Sequence, residues 1–343
     1  LAGTVVFAAL SVWRLAQFRP DLVSIPAALA VGAWLMQPRV PSWRSVVLLC
    51  AGIALWANVH SLFAIGPALV FAALIGLALR VALARTFSFE LGTPAPALAA
   101  RWGSLLIGSV LASALNPRGF AQHLTFLTSS SETAVWLVRD EWTHFHPFAF
   151  LPEYGLAVSR FTWLLSDAVV AVFLAAALAL FVRFVRRPCQ ESLAGADPVM
   201  FGLGLAGVVA MLVSIRFQWM LFFPLAFIAQ GIRGIGAGGA ASLRPVHALA
   251  ASTAVLCAAL SFTGPLWPGV DALRPARLTR YLTTPYETAG YHLPGVRFLR
   301  DANLEGRLFN AYLMGGFLGF WTPDGLRTFI DGRTEHYAPD VVT

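Results

Sequence analysis

L-F-A-I-G-P-A-L-V-F-A-A-L-I-G-L-A-L-R-V-A-L-A, residues 62–84, decides the fold class. It carries one charge, Arg80, close to its end. A helix of about 20 apolar residues crosses the roughly 30 Å hydrocarbon core of a bilayer, and this run is long enough to do so. It shows no polar face, so the expected helix sits among lipid and other helices rather than in water. Working outward, apolar windows recur at 1–18, 22–36, 46–60, 103–116, 163–182, 199–215, 217–232 and 246–263, giving about nine candidate segments with the first. Several are short for a spanning helix and fit tilted, broken or re-entrant pieces. The composition agrees, with 58% hydrophobic and 12% charged residues and a mean hydropathy of +0.70, against about 25% charged in soluble domains. The 26 Phe and 11 Trp exclude a disordered chain, and the 29 Gly follow no collagen period. The expected fold is an all-α polytopic transmembrane bundle over 1–263, with a long outer loop at 117–162.

Every one of the 24 basic residues is Arg, and the formal net charge is +7. That surplus is no nucleic-acid signal, because residues 264–343 balance eight Arg with eight Asp plus Glu. It lies in the membrane part, where Arg sets orientation. Strict alternation of the segments groups the loops 37–45, 85–102, 183–198 and 233–245 on one side, carrying Arg39, Arg44, Arg85, Arg101, Arg183, Arg186, Arg187, Arg233 and Arg244, with Arg80 close by. These are placed in the cytoplasm. The other, outer face receives the turn at 19–21, the W-A-N-V-H bend at 56–60, the loop 117–162, the Arg216 turn and the region 264–343. Cys50, Cys189 and Cys257 suggest neither a disulfide framework nor a zinc site.

After Pro265 the texture becomes that of a soluble domain. Residues 295–301 read as a short helix, 307–310 as a strand, 315–321 as a glycine turn opening a helix, and 326–331 as a second strand. A small α/β domain over 264–343 is expected, cut off before its end, and the chain reads as a fragment of a longer protein. The apolar and aromatic stretches at 123–127 and 136–138 suggest an amphipathic interfacial helix in the long loop.

The densest polar cluster of the outer face is R-D-E-W-T-H-F-H-P, 139–147. Asp140 or Glu141 could act as a general base, or the carboxylates with His144 and His146 could bind a divalent metal, Mg or Mn; an exposed ion pair beside interfacial imidazoles is the structural alternative. Asn58 and His60 end an apolar segment after Trp56, where polar groups are costly unless paired; Asn58 could equally cap the next helix. Arg216 separates two apolar segments by a very short turn, which suits a lipid phosphate or pyrophosphate, or a snorkelling side chain. Asn116-Pro117-Arg118-Gly119 has the same two readings, with a helix stop favoured. Asp167 lies inside a span near its outer end and is a candidate proton relay. In the tail, Asn310, Asp331, Arg333 and Glu335 stand beside tight glycine turns, an arrangement that suits hydroxyl-rich ligands or simply braces the turns. No Walker loop, Rossmann fingerprint, nucleophile elbow or H-E-x-x-H occurs.

The motifs R-P-D-L-V-S at 19–24, W-A-N-V-H at 56–60, N-P-R-G-F at 116–120, D-E-W at 140–142, R-F-Q-W-M-L-F-F-P at 216–224, and the tail N-A-Y-L-M-G-G-F (310–317) with F-I-D-G-R-T-E-H-Y (329–337) together resemble a family of bacterial polytopic membrane proteins akin to the C superfamily of membrane glycosyltransferases. That superfamily includes mannosyltransferase-like and oligosaccharyltransferase enzymes. The resemblance implies a polyprenyl-phosphate-linked sugar held at the outer face. It also implies Asp140 or Glu141 as acidic base or metal ligand, Arg216 on the lipid phosphate, and the tail on the acceptor side. The chain departs from the pattern in lacking the first outer loop with its acidic motif, and in having Ser61 and Met314 where Gly and Trp are expected. The function so implied is sugar transfer from a lipid-linked donor to an envelope acceptor. Its rivals are a non-catalytic transporter, a lipid-binding protein and an assembly subunit; a transporter would be expected to show internal repeats, and none is visible.

Overall fold

The computed structural model describes residues 2–15, 21–37, 40–89, 95–123, 144–147, 160–236, 293–310, 312–322 and 325–329. The protein is mostly helical and divides into two compact units, Leu1–Phe126 with Glu141–Pro265, and Leu127–Asp140 with Leu266–Thr343.

In the first unit the helices are α1 (Ala2–Leu15), α2 (Asp21–Leu35), α3 (Trp43–Ala57), α4 (Ile65–Thr86), α5 (Ala95–Ser113), α6 (Arg160–Arg186), the short α7 (Gln190–Gly195), α8 (Pro198–Val213) and α9 (Phe222–Gly236). Two 3₁₀ turns, Ser61–Ala64 and Ile215–Leu221, lead into α4 and α9. Among the described residues three stretches are long and apolar enough to cross a membrane: Ser61–Thr86, Thr162–Arg186 and Ile215–Ile232. The windows at 22–36, 46–60 and 199–215 form shorter apolar helices. The last candidate segment, 246–263, lies outside the described residues. Only 28% of the most apolar window of Thr162–Arg186 is buried inside the protein. Leu48, Leu55 and Leu178 are likewise 72%, 70% and 64% exposed. Large apolar side chains turned outward in such numbers belong in lipid, and the protein is a helical membrane protein.

Contacts along the helices fix their directions. Cys50 lies against Gly108, the Arg101 guanidinium stacks 4.1 Å from the Trp43 ring, and Asn58 reaches Leu115. Thus α3 and α5 run parallel. Helix α4 meets α8 antiparallel and backbone to backbone: a Cβ on Gly76 would collide with the Pro198 carbonyl oxygen, and one on Gly202 with that of Ala72. Small residues four apart, Ala72 and Gly76 on one helix and Pro198 and Gly202 on the other, permit that approach. Helix α6 lies parallel to the Ile215–Gly236 segment, with Ser166 at Gln218 and Leu180 at Gly231.

This alternation sorts the charges. Arg44, Arg80, Arg85, Arg101, Arg183, Arg186 and Arg187 sit where α3 and α5 begin and α4 and α6 end, which is one end of the bundle. Arg14, Arg118, Arg160 and Arg216 lie toward the other, where α1 ends and α6 begins, with the W-A-N-V-H bend. At the arginine end Asp197 caps α8 by accepting from Val199 N–H at 2.9 Å. Burial pushes its carboxyl above the usual carboxylate range, and Arg80 and the backbone N–H groups of Val199 and Met200 offset this only in part. The folded chain therefore holds the Asp197 proton more tightly than the unfolded chain does. Stability from this group is gained as pH falls through the raised folded value toward 3.8, and lost as pH rises back through it. Asp197→Asn keeps the cap and should flatten that acid-side gain in melting temperature, whereas Asp197→Ala should flatten it equally and lose the cap besides, about 1 kcal/mol. An unchanged pH slope in the Asn variant would show that the carboxyl is not the titrating group.

The second unit holds α10 (Leu293–Asp301), β1 (Gly306–Leu308), α11 (Tyr312–Trp321) and β2 (Leu326–Thr328). The strands pair in parallel, Gly306 opposite Leu326, so α11 is the crossover of a β-α-β unit. The helix expected to open from a glycine turn within 315–321 is present but begins earlier, at Tyr312, so that Gly315, Gly316 and Gly319 lie inside α11, which a run rich in Phe, Leu and Trp can hold against its glycine cost. Strand β1 begins one residue earlier and stops two sooner than the expected 307–310, because Asn310 turns its Oδ1 to accept Phe329 N–H at 2.9 Å.

Candidate functional site at the polar end of the bundle

Ser24, fully buried in the first turns of α2, is the pivot between two of the sequence motifs. Its Oγ accepts the Trp56 indole N–H at 2.7 Å and lies 2.7 Å from His60 Nδ1. The R-P-D-L-V-S and W-A-N-V-H segments are thereby joined. Removing the hydroxyl would strand a buried indole N–H, since Trp56 is 3% exposed. Ser24→Ala should cost about 1–3 kcal/mol in detergent thermal unfolding, and an unchanged melting point would mean the indole does not depend on this bond.

Asn58 does not cap the following helix. It closes α3, and its Nδ2 donates to the Ala54 carbonyl at 2.8 Å and to Leu115 at 2.6 Å, tying α3 to the end of α5. There the N-P-R-G segment forms an Asn-led turn, with Arg118 N–H on Asn116 Oδ1 at 2.9 Å and Gly119 at φ +54°. Ser113 gives its proton to the Val110 carbonyl at 2.7 Å, so its contact with His123 Nε2 at 2.9 Å is an N–H donated by the imidazole. The His123 ring is held edge-on to Phe63, centroids 5.1 Å apart.

Residues 144–147 pack onto the end of α8. Phe145 N–H donates to Leu212 at 3.2 Å, and its ring lies 4.3 Å from Trp163. His144 Nδ1 is 2.8 Å from the Val213 carbonyl, which can only accept; the ring's proton therefore sits on Nδ1, and in the neutral imidazole Nε2 carries the lone pair. Metal-binding imidazoles are commonly oriented in this way. The His146 ring is 6.5 Å away. Among the described residues no three His, Cys, Asp or Glu side chains converge on a metal position. Asp140 and Glu141, and in the second unit Asp331, Arg333 and Glu335, lie outside the described residues. So does most of the expected interfacial helix of 117–162.

Arg216 opens the 3₁₀ turn after α8, where Ser214 Oγ accepts its backbone N–H at 3.2 Å. Two residues on, Gln218 is 2% exposed and donates from Nε2 to Ser166 Oγ at 2.6 Å and to the Thr162 carbonyl at 3.1 Å. Asp167, beside Ser166, is buried at the same end. The first unit thus gathers Asn58, His60, His144, His146, Arg216 and Asp167 at one end, opposite most of the arginines. Sequence reading passed over Ser24, Ser113, His123 and Gln218 as site residues. Each is a lone polar residue in or beside an apolar window at this end, and that was the available signal.

Comparison of the chain with protein-family models, curated proteins and solved structures finds no match.

Proposed function

We propose that the protein is an integral membrane glycosyltransferase of a bacterial inner membrane, moving a sugar from a polyprenyl-phosphate-linked donor to an envelope acceptor at the outer face. The observation that carries the reading is the sorting of side chains: most of the described arginines at one end of the bundle, and a hydrogen-bonded polar surface with Arg216 at the other. By the positive-inside rule the arginine end is cytoplasmic, and the polar end faces the periplasm. Arg216 binds the donor phosphate through its planar fork of N–H groups, with Asn58 and His60 on neighbouring substrate oxygens. Asp140 or Glu141 takes the proton of the acceptor hydroxyl as that oxygen attacks the anomeric carbon. The bond from that carbon to the phosphate oxygen breaks, and polyprenyl phosphate leaves. His144 and His146, with these carboxylates, would hold a divalent cation that neutralises phosphate charge. The tail, with Asn310, Asp331 and Arg333, contributes the acceptor side.

Arg216→Gln tests the phosphate role by equilibrium binding of a polyprenyl-phosphate sugar to the protein in nanodiscs. Loss of a charge-assisted fork should weaken binding by about tenfold or more, with melting temperature preserved. Equal affinity of the variant and the parent would remove Arg216 from the donor site.

A further inference from the structure

At the arginine end, remote from the polar surface, a cavity of about 290 Å³ opens between α4, α6, α7, α8 and α9. Leu79, Leu83, Leu178, Phe181, Pro198 and Phe201 are among its walls, which are almost wholly apolar. Leu178, Phe181 and Leu79 are 64%, 56% and 43% exposed, so the groove is open on the outside of the bundle, where a bilayer would lie. Phe184 is another of its walls, and Phe87 meets that ring edge-on at 5.1 Å. The helix turns around the groove carry positive charge. Arg80 follows the wall residue Leu79 and acts electrostatically on Asp197, which lies between the wall residues Ala196 and Pro198. Arg183 and Arg187 flank Phe184, with Arg186 between them, and all three are exposed.

The geometry points to a binding site for one anionic glycerophospholipid of the adjoining leaflet, an acyl chain in the groove and its phosphate among the arginines. The volume falls at the lower edge of small-ligand cavities, about 300 Å³. Charge selects the occupant. Among the described side chains seven arginines (44, 80, 85, 101, 183, 186 and 187) stand at this end with one carboxylate, Asp197, so an anionic headgroup is favoured over a zwitterionic one. A polyprenyl donor would carry its phosphate at the opposite end, in the other leaflet.

The test uses the full chain in nanodiscs with acyl-chain photoactivatable phosphatidylglycerol or its phosphatidylcholine counterpart, reading cross-linked peptides by mass spectrometry. Labelling should concentrate on peptides containing Leu178–Phe184 and Phe201, with several-fold preference for phosphatidylglycerol. That preference should fall about fivefold for each of Arg183→Gln and Arg187→Gln. Ala177→Phe, which fills the groove, should remove the label at unchanged circular dichroism. If that variant fails to fold, the arginine variants carry the test alone. Equal labelling by both headgroups, label spread evenly round the bundle, or displacement of phosphatidylglycerol by polyprenyl phosphate in preference to unlabelled phosphatidylglycerol would each overturn the proposal.

Discussion

Gly76→Leu should disrupt the membrane unit, at a cost of about 3 kcal/mol or complete loss of folded protein. The side chain would start inside the Pro198 carbonyl oxygen, with Val199 Cα 2.6 Å and the Pro198 carbonyl carbon 2.7 Å from its Cβ. Those are backbone atoms of a facing helix and cannot rotate away. In lipid, where water does not drive helices together, such close approach is a main source of association energy. Gly52→Leu is the matched control, because a Cβ there meets nothing within 4 Å. Detergent-solubilised Gly52→Leu should therefore melt like the parent while Gly76→Leu aggregates or melts far lower. Similar behaviour of the two variants would mean that the α4–α8 crossing does not hold the bundle.

The membrane class was legible because hydropathy accumulates over long windows, and residues 62–84 leave a helix no soluble alternative. The alternation of helix directions was legible for a related reason: once segments are short-looped, arginine position fixes which ends go together. What periodicity could not supply is where a helix breaks. The 217–232 window is a 3₁₀ turn before it is an α-helix, with the Ser214 hydroxyl taking the Arg216 N–H at its start. Glycines 315 and 316 placed the start of the expected helix three residues too late, since the aromatic and aliphatic residues around them sustain it from Tyr312. For the site, Asn58, His60 and Arg216 were marked by their cost at membrane depth, but their partners lie 57, 36 and 2 residues away in the chain. Partnerships at the first two separations depend on the fold. Spacing alone does not reveal that Ser24 joins two motifs.

The largest effect on activity is expected from the carboxylates. Changing Asp140 and Glu141 together to Asn and Gln removes both candidate bases while conserving shape, and should lower sugar transfer about 10²–10⁴-fold, the range of general-base contributions. Donor binding should survive, because the phosphate is assigned to Arg216. Each single variant identifies which carboxylate acts: the base shows nearly the whole loss and its neighbour little. Retained turnover in the double variant would place the base elsewhere, and His123 or His144 would be the next substitutions.

The most direct measurement is transfer itself, with the full-length protein in proteoliposomes, polyprenyl-phosphate-linked radiolabelled sugar as donor and an extracted envelope fraction as acceptor. The account predicts label appearing in the acceptor in proportion to protein, and falling to background with the Asp140→Asn, Glu141→Gln double variant. Donor bound with normal affinity but no label transferred, or transfer identical in the double variant, would contradict it.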